Sequence, residues 1–324
     1  MAKDSGDNEE ALRYVIGAAP GCRTFVDVFR VANEAGNFEW GTERWRSLLR
    51  RNPAVKRMVQ AEISASAALA DGCIEMGSGD VRGIITSDDH APHHDARAIA
   101  LAAKVAQWHR PNLWIMAGDQ IDFYSLSLHD RGQARMYRLQ DEIDTWRRQV
   151  YAPIAQAVGD RCRRVKLDGE HEERLRHHLR HHLDMSPRRT FSIDALLDLD
   201  SMGVAYTPRR VTFGGLLEVS HGVVLRKRAG SAARRESERR HFRHSTVTGH
   251  THRAGSFSAR MGDRWIEARQ NPCLCSLKPQ HAAGEEADWR QGVTLFSIHQ
   301  GRLALETVVF DDYTAFAGGQ WHEA

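Results

Sequence analysis

Five short apolar runs in this chain end in the same kind of residue. Val81–Thr86 leads into Asp88-Asp89-His90, and Leu113–Ala117 into Gly118-Asp119-Gln120-Ile121-Asp122. Arg164–Leu167 leads into Gly169-Glu170-His171-Glu172, Leu216–Ser220 into His221-Gly222, and Thr246–Thr248 into Gly249-His250-Thr251-His252. Short apolar runs bounded by polar clusters read as strands. Helical patterns over Ala96–Trp108 and Arg131–Val158 lie between them. Strands alternating with helices predict an α/β layer fold. In open α/β sheets, ligands bind outside the carboxyl ends of the strands. Five ends that each deliver Asp, Glu or His therefore predict one shared site. Further strands are expected at Val204–Thr207, Arg264–Ala268, Val293–Ile298 and Leu303–Val309.

The residue types set the chemistry. The chain has 18 histidines, an excess that points to a metal site, a pH-sensitive surface or a compositional accident. Carboxylates and imidazoles without thiolates suit divalent manganese, iron, zinc or nickel. Asp88, His90, Asp119, Glu170, His221, His250 and His252 are too many donors for one tetrahedral zinc. They fit two ions sharing a bridging carboxylate. Such a pair, about 3.5–4 Å apart, clamps a phosphoryl group and activates water for in-line attack.

In order and spacing these motifs resemble the calcineurin-like, or binuclear, metallophosphoesterases, whose pattern is D-x-H, G-D-x-x-D, G-N-H-[DE], a histidine often followed by glycine, and G-H-x-H. The resemblance covers about residues 81–310. His221 through Arg228 and Ala229-Gly230-Ser231-Ala232 to Gly249-His250-Thr251-His252-Arg253 looks like a bacteriophage and bacterial subgroup, as do Cys273-Leu-Cys275 and Trp289-Arg-Gln-Gly292. The resemblance implies a four-layer α/β/β/α sandwich with two divalent metals, manganese first, with iron, zinc, nickel or magnesium as substitutes. It implies that Asp88, His90 and His252 hold one metal, that His221, His250 and Glu170 hold the other, and that Asp119 bridges them. His171 would sit beside the phosphate, stabilising the transition state or protonating the leaving oxygen. Asp122 and Glu172 would orient ligands. The attack implied is by metal-bound hydroxide, with no covalent enzyme intermediate.

One position departs from the pattern: Glu170 stands where the family has Asn. A carboxylate adds negative charge and is one methylene longer. Three readings stay open: a variant ligand, a weakened site, or an inactive one. Between the last two motifs lies a run of arginines, of which Arg226, Arg228, Arg234 and Arg235 are the candidate substrate contacts. A cationic track there favours DNA or RNA as the phosphoester substrate, and hence a nuclease or nucleotide phosphodiesterase. The alternative is a catalytically impaired protein of this fold acting as a DNA-binding module.

The rest of the sequence narrows the setting. Residues 1–75 read as a small helical domain compatible with a helix-turn-helix, 76–80 as a linker, 81–310 as the phosphoesterase domain and 311–324 as a tail. Lys plus Arg is 45 and Asp plus Glu 42, so the formal charge is +3, too small for binding by bulk charge alone. No stretch approaches the roughly 18–20 apolar residues a membrane helix needs, and the polar N-terminus lacks a secretory signal. No membrane association and a cytoplasmic location are expected. The five scattered cysteines read as ordinary reduced thiols.

Overall fold

The computed structural model describes residues 8, 10–15, 25–36, 38–56, 59, 73–76, 79–126, 138–181, 192–226, 228–277 and 288–324. The chain divides into two compact units, Met1–Ile74 and Glu75–Ala324. In the first, helices α1 (Phe25–Gly36) and α2 (Thr42–Arg51) enclose a core that includes Val28, Phe29, Ala32, Trp45, Leu48 and Leu49. Phe29 stacks on Trp45 with centroids 5.9 Å apart. Asn33 takes the Trp45 Nε1 hydrogen at 2.9 Å and donates to Trp40 O at 2.9 Å, so one amide ties the turn to both helices. On α2, Arg46 and Arg50 pair with Glu43. The helical pattern expected over 55–63 lies largely outside the described residues.

The second unit is mixed α/β with two sheets. One runs β14-β13-β12-β11-β2-β3-β4-β5 and the other β1-β6-β7-β8-β10-β9. Their bounds are β1 Cys73–Met76, β2 Val81–Thr86, β3 Leu113–Ala117, β4 Arg163–Leu167, β5 Val204–Tyr206, β6 Arg210–Phe213, β7 Leu217–Ser220, β8 Ser245–Thr248, β9 Ser256–Met261, β10 Arg264–Gln270, β11 Gln291–His299, β12 Arg302–Asp311, β13 Thr314–Ala317 and β14 Gln320–Glu323. Strands β2 to β5 pair in parallel, as do β7, β8 and β10. Buried on both faces, β3 is apolar throughout, as parallel strands tend to be. Its Trp114 is 1% exposed and donates Nε1–H to Thr86 Oγ1 at 3.0 Å. The sheets meet where Phe213 of β6 packs on Phe296 of β11, centroids 5.2 Å apart.

Helix α3 (Ala96–His109) begins at Asp95, whose side chain accepts from the Arg97 and Ala98 amides. This cap satisfies two of the helix's orphan donors. Helix α4 (Leu139–Thr145) passes through a π-helical turn, Trp146–Tyr151, into α5 (Ala152–Val158). The expected single helix is widened here, where the Ala152 amide reaches back five residues to Arg147 O; residues 131–137 of that expectation lie outside the described residues. Helix α6 is Glu170–His181, α7 Ile193–Leu196 and α8 Ala229–Arg239. Helix α3 packs on β11, β13 and β14, and α8 on β8, β9 and β10.

Two expectations need correction. Residues 73–76, read as the end of a helical domain and the start of a linker, form β1, fixed where Glu75 Oε1 accepts the Gly214 amide at 2.8 Å. Residues 311–324 are no tail: β13 and β14 extend the eight-stranded sheet as a hairpin. Among the described residues, no helix is long and apolar enough to cross a membrane.

His109, in the last turn of α3, has Nε2 3.2 Å from Gly83 O. Burial, with the Arg82 charge, pushes its pKa from 6.5 down to about 4. Between those values the unfolded chain binds more protons, so stability falls as pH is lowered from 6.5 towards 4. His109→Gln is expected to flatten that part of the melting-temperature profile; an unchanged profile would remove His109 as a contributor.

Candidate metal centre

Parallel pairing brings the carboxyl ends of β2, β3 and β4 to one edge, and those of β7 and β8 to one edge of the other sheet. The loops that follow are stitched together. The Asp88 amide donates to Gly118 O at 3.0 Å and the His90 amide to Asp119 O at 2.9 Å. Across the sheets, Asp88 Oδ1 accepts the His250 amide at 3.0 Å, and His221 Nδ1 lies 2.9 Å from Ala117 O. Asp88, His90, Asp119, His250 and His252 all have positive φ, between 49° and 72°. Non-glycine residues rarely adopt this region, and such strain gathers at functional sites. Close approach explains the motif glycines: a Cβ on Gly169 would lie 2.1 Å from Asp119 Oδ1, and one on Gly249 would lie 2.6 Å from Asp88 Oδ2.

Two of the groups with donor atoms within 4.8 Å of one another are Asp88, His90 and His252, and Asp119, His221 and His250; His90 also groups with Asp122 and His171. In the first, His90 Nε2 and His252 Nε2 are 3.0 Å apart, and His252 Nε2 is 3.4 Å from Asp88 Oδ1. In the second, His221 Nε2 is 3.1 Å from Asp119 Oδ2. The same Asp119 oxygen lies 3.9 Å from His90 Nε2, so it stands between the groups. Glu170 is outside both. Its Oε2 is 3.5 Å from His250 Nδ1, and its side chain is 71% exposed.

The electrostatics suit a cation. Burial would raise the Asp119 pKa, but the His221, His171 and His90 charges and a hydrogen bond hold it well below the carboxylate range. Burial would lower His221, yet Asp119 and Asp88 raise it to about 10. The field that keeps a proton there also attracts a metal ion. Burial, with His171 and His252 nearby, pushes His90 down to about 3, leaving a neutral imidazole of the kind that ligates metals. His221 Nε2 is buried and lacks a well-angled hydrogen-bond partner, while Nδ1 is engaged by Ala117 O. That orphaned nitrogen, beside a buried carboxylate oxygen, fits a divalent ion.

His171 lies at the rim, half-buried, its ring centroid 4.3 Å from that of His90. Its Nδ1 is 3.0 Å from Asp122 Oδ1. Arg174 Nη1 donates to the same oxygen at 2.6 Å. Burial opposes a charged His171, but the Asp122 hydrogen bond and the Asp119 and Asp122 charges raise its pKa. Glu172 accepts from the Gly169, Asp119 and Gln120 amides at 2.7, 3.0 and 3.3 Å and from Lys166 Nζ at 2.9 Å.

Sequence reasoning missed several members. Arg174 stands one turn after His171 on the same helix face. Lys166 was visible as a lysine between Val165 and Leu167, and buried there it demands a partner. Cys273 and Cys275, read as ordinary thiols, form a group with His252; Cys275 Sγ is 3.8 Å from His252 Nδ1. Trp289 packs on the same ring, centroids 4.3 Å apart.

A cavity of about 630 Å³ opens beside Glu170, His221 and His250. Arg226, Arg228, Arg234 and Arg235 do not line it; Arg209, Arg210, Arg239 and Arg240 do. Arg234 and Arg235 both pair with Glu238.

No family model matches the sequence, and no curated protein matches it. Among solved structures the chain is similar to a single mutant of Vps29 from Entamoeba histolytica, at 13% identity over 71% of this chain and 99% of that one, with a TM-score of 0.30. It is also similar to TT1561 of Thermus thermophilus, at 10% identity over 70% and 98% of the two chains, with a TM-score of 0.33. Likenesses this low identify no activity.

Proposed function

We propose that the chain is a phosphoester hydrolase of the calcineurin-like type, using two divalent ions. The observation that carries this reading is the position of Asp119 Oδ2, 3.1 Å from His221 Nε2 and 3.9 Å from His90 Nε2. One carboxylate oxygen thus joins two ligand groups. Asp88, His90 and His252 would hold one ion, and His221 and His250 the other, with Asp119 shared. When bound, the ions polarise the phosphoryl oxygens and lower the pKa of water. His171, held by Asp122 and Arg174, is placed to stabilise charge on the phosphoryl group and to give a proton to the leaving oxygen. The α/β/β/α layer order, manganese as the first metal and a cytoplasmic location belong to the same proposal. So does the narrower reading as a nuclease or nucleotide phosphodiesterase. Exposed Arg226 and Arg228, a few residues beyond His221, support it. The proposal as a whole is tested with p-nitrophenyl phosphate and its bis ester in manganese, iron, nickel, zinc or magnesium. Metal-dependent release of nitrophenol is expected, and no turnover with any of them overturns the reading.

Glu170 is the informative variable. Exposed beside His250, its carboxylate repels a phosphate dianion by about 1–2 kcal/mol across a few ångströms of solvent-screened space. Glu170→Asn is expected to raise kcat/KM for p-nitrophenyl phosphate about tenfold. A loss of activity together with one metal would show instead that Glu170 is a ligand.

A further inference from the structure

The cavity beside His221 and His250 is lined by arginines that the metal-ligating residues do not explain. Its volume of about 630 Å³ falls within the ~300–1,000 Å³ of small-molecule sites. Four of its carboxylates are already held in ion pairs, two to each of two arginines. Glu218 and Glu236 share Arg240, and Asp168 and Glu173 share Arg176. Glu170 is the carboxylate left over. Facing it are Arg209, Arg210 and Arg239, which line the same space and have no ion pair among the described residues. Three guanidinium groups outside any ion pair thus border the same space as one carboxylate outside these arginine pairs. These arginines do not come from one solvated helix face. Arg209 and Arg210 enter at the start of β6, and Arg239 ends α8, so the fold brings them together. The planar guanidinium fork matches a phosphate group.

We propose that this cavity binds a second phosphate of the substrate, distinct from the one hydrolysed, through Arg209, Arg210 and Arg239. The inference rests on the hydrolase reading for the place of the scissile group. It names the substrate class: a phosphoester that carries at least one further phosphate. A compact bisphosphate and a nucleic-acid strand share that chemistry. Glu170 then divides the two anionic positions, and its charge sets how closely they approach each other.

The test is calorimetry on the manganese-loaded full chain with two probes that contain no ester, propylphosphonate and propane-1,3-diphosphonate. The second phosphonate is expected to tighten binding about tenfold at low salt, from two added charge-assisted contacts. In Arg209→Ala/Arg239→Ala the gain is expected to fall below about threefold. A control that removes two exposed arginines outside the cavity, Arg264→Ala/Arg302→Ala, is expected to keep it. No gain in the natural protein, a gain that survives in Arg209→Ala/Arg239→Ala, or an equal loss in the control each overturns the subsite. A phosphorothioate tetrathymidylate that displaces the diphosphonate identifies a strand as the source of the second phosphate; failure to displace it identifies a compact molecule, and either result keeps the subsite. A chain that hydrolyses p-nitrophenyl phosphate without a diphosphonate gain retains the hydrolase reading alone. A chain with the gain and no turnover retains the subsite alone.

Discussion

Asp119→Asn is expected to abolish metal-dependent phosphoester hydrolysis while leaving the fold intact. The carboxylate is buried, and its Oδ2 lies between the two ligand groups. Its Oδ1 has a separate duty, accepting the His171 amide at 2.8 Å. An asparagine oriented with its oxygen on that amide keeps the second contact and presents a neutral NH2 where the bridging oxygen was. The substitution therefore removes one negative charge and one ligand, and it leaves a donor facing His221. The loss expected in kcat/KM is about a thousandfold or more, equivalent to about 4 kcal/mol of transition-state stabilisation. Elemental analysis of the purified variant is expected to show at most one ion per chain, against two in the natural protein. The ring of His221, without its anionic partner, is expected to lose its proton at a lower pH, which an NMR titration of the metal-free protein would read. Two ions per chain and activity within tenfold of the natural protein would falsify the bridging role. Asp122→Asn serves as contrast: it loosens His171 and is expected to reduce turnover with both ions still bound.

What the sequence could reveal differed from region to region for physical reasons. Strand β3 was legible because it is buried in a parallel sheet and reads as a continuous apolar run, whereas β2 and β4 carry only short buried apolar stretches, Ile84-Ile85 and Val165 with Leu167. The polar residues after them were legible as a set because parallel strands end at a common edge. β9 and β14 were not. The burial of Ser256–Met261 alternates between exposed and half-buried, and Gln320–Glu323 is mostly exposed, so neither carries an apolar signature. The arginines of the cavity were not legible for a related reason. Density along the chain singled out Arg226 to Arg235, but i,i+3 and i,i+4 spacing on α8 lets Glu238 hold Arg234 and Arg235. The arginines at the cavity come from separate segments that only the fold unites. The Cys273–Cys275 pair reads as two ordinary thiols because its neighbour in space is His252, a residue of another loop.

Lys166→Met is expected to produce the largest stability loss of any single substitution beneath the site. Lys166 and Glu172 both have side chains 0% exposed, with Nζ and Oε1 2.9 Å apart. The lysine also donates to Leu167 O at 3.0 Å and lies 3.5 Å from Asp168 Oδ1. Removing the cation leaves two buried or nearly buried carboxylates facing an apolar side chain. Breaking one partner of a buried pair typically costs about 3–5 kcal/mol, and urea unfolding is expected to show a loss of that size. Glu172→Gln is expected to cost a similar amount by stranding the lysine, and also to loosen the three amides that Glu172 gathers. Because two of those belong to Gly169 and Asp119, Glu172→Gln is expected to weaken metal binding more than Lys166→Met does at equal stability loss. The double variant Lys166→Met/Glu172→Gln removes both charges. It is expected to be more stable than the sum of the single losses implies, by about 1–3 kcal/mol of coupling. Additive losses would mean that the two side chains act independently and that the amides alone hold Glu172. A Lys166→Met loss below about 1 kcal/mol would mean that solvent reaches the pair.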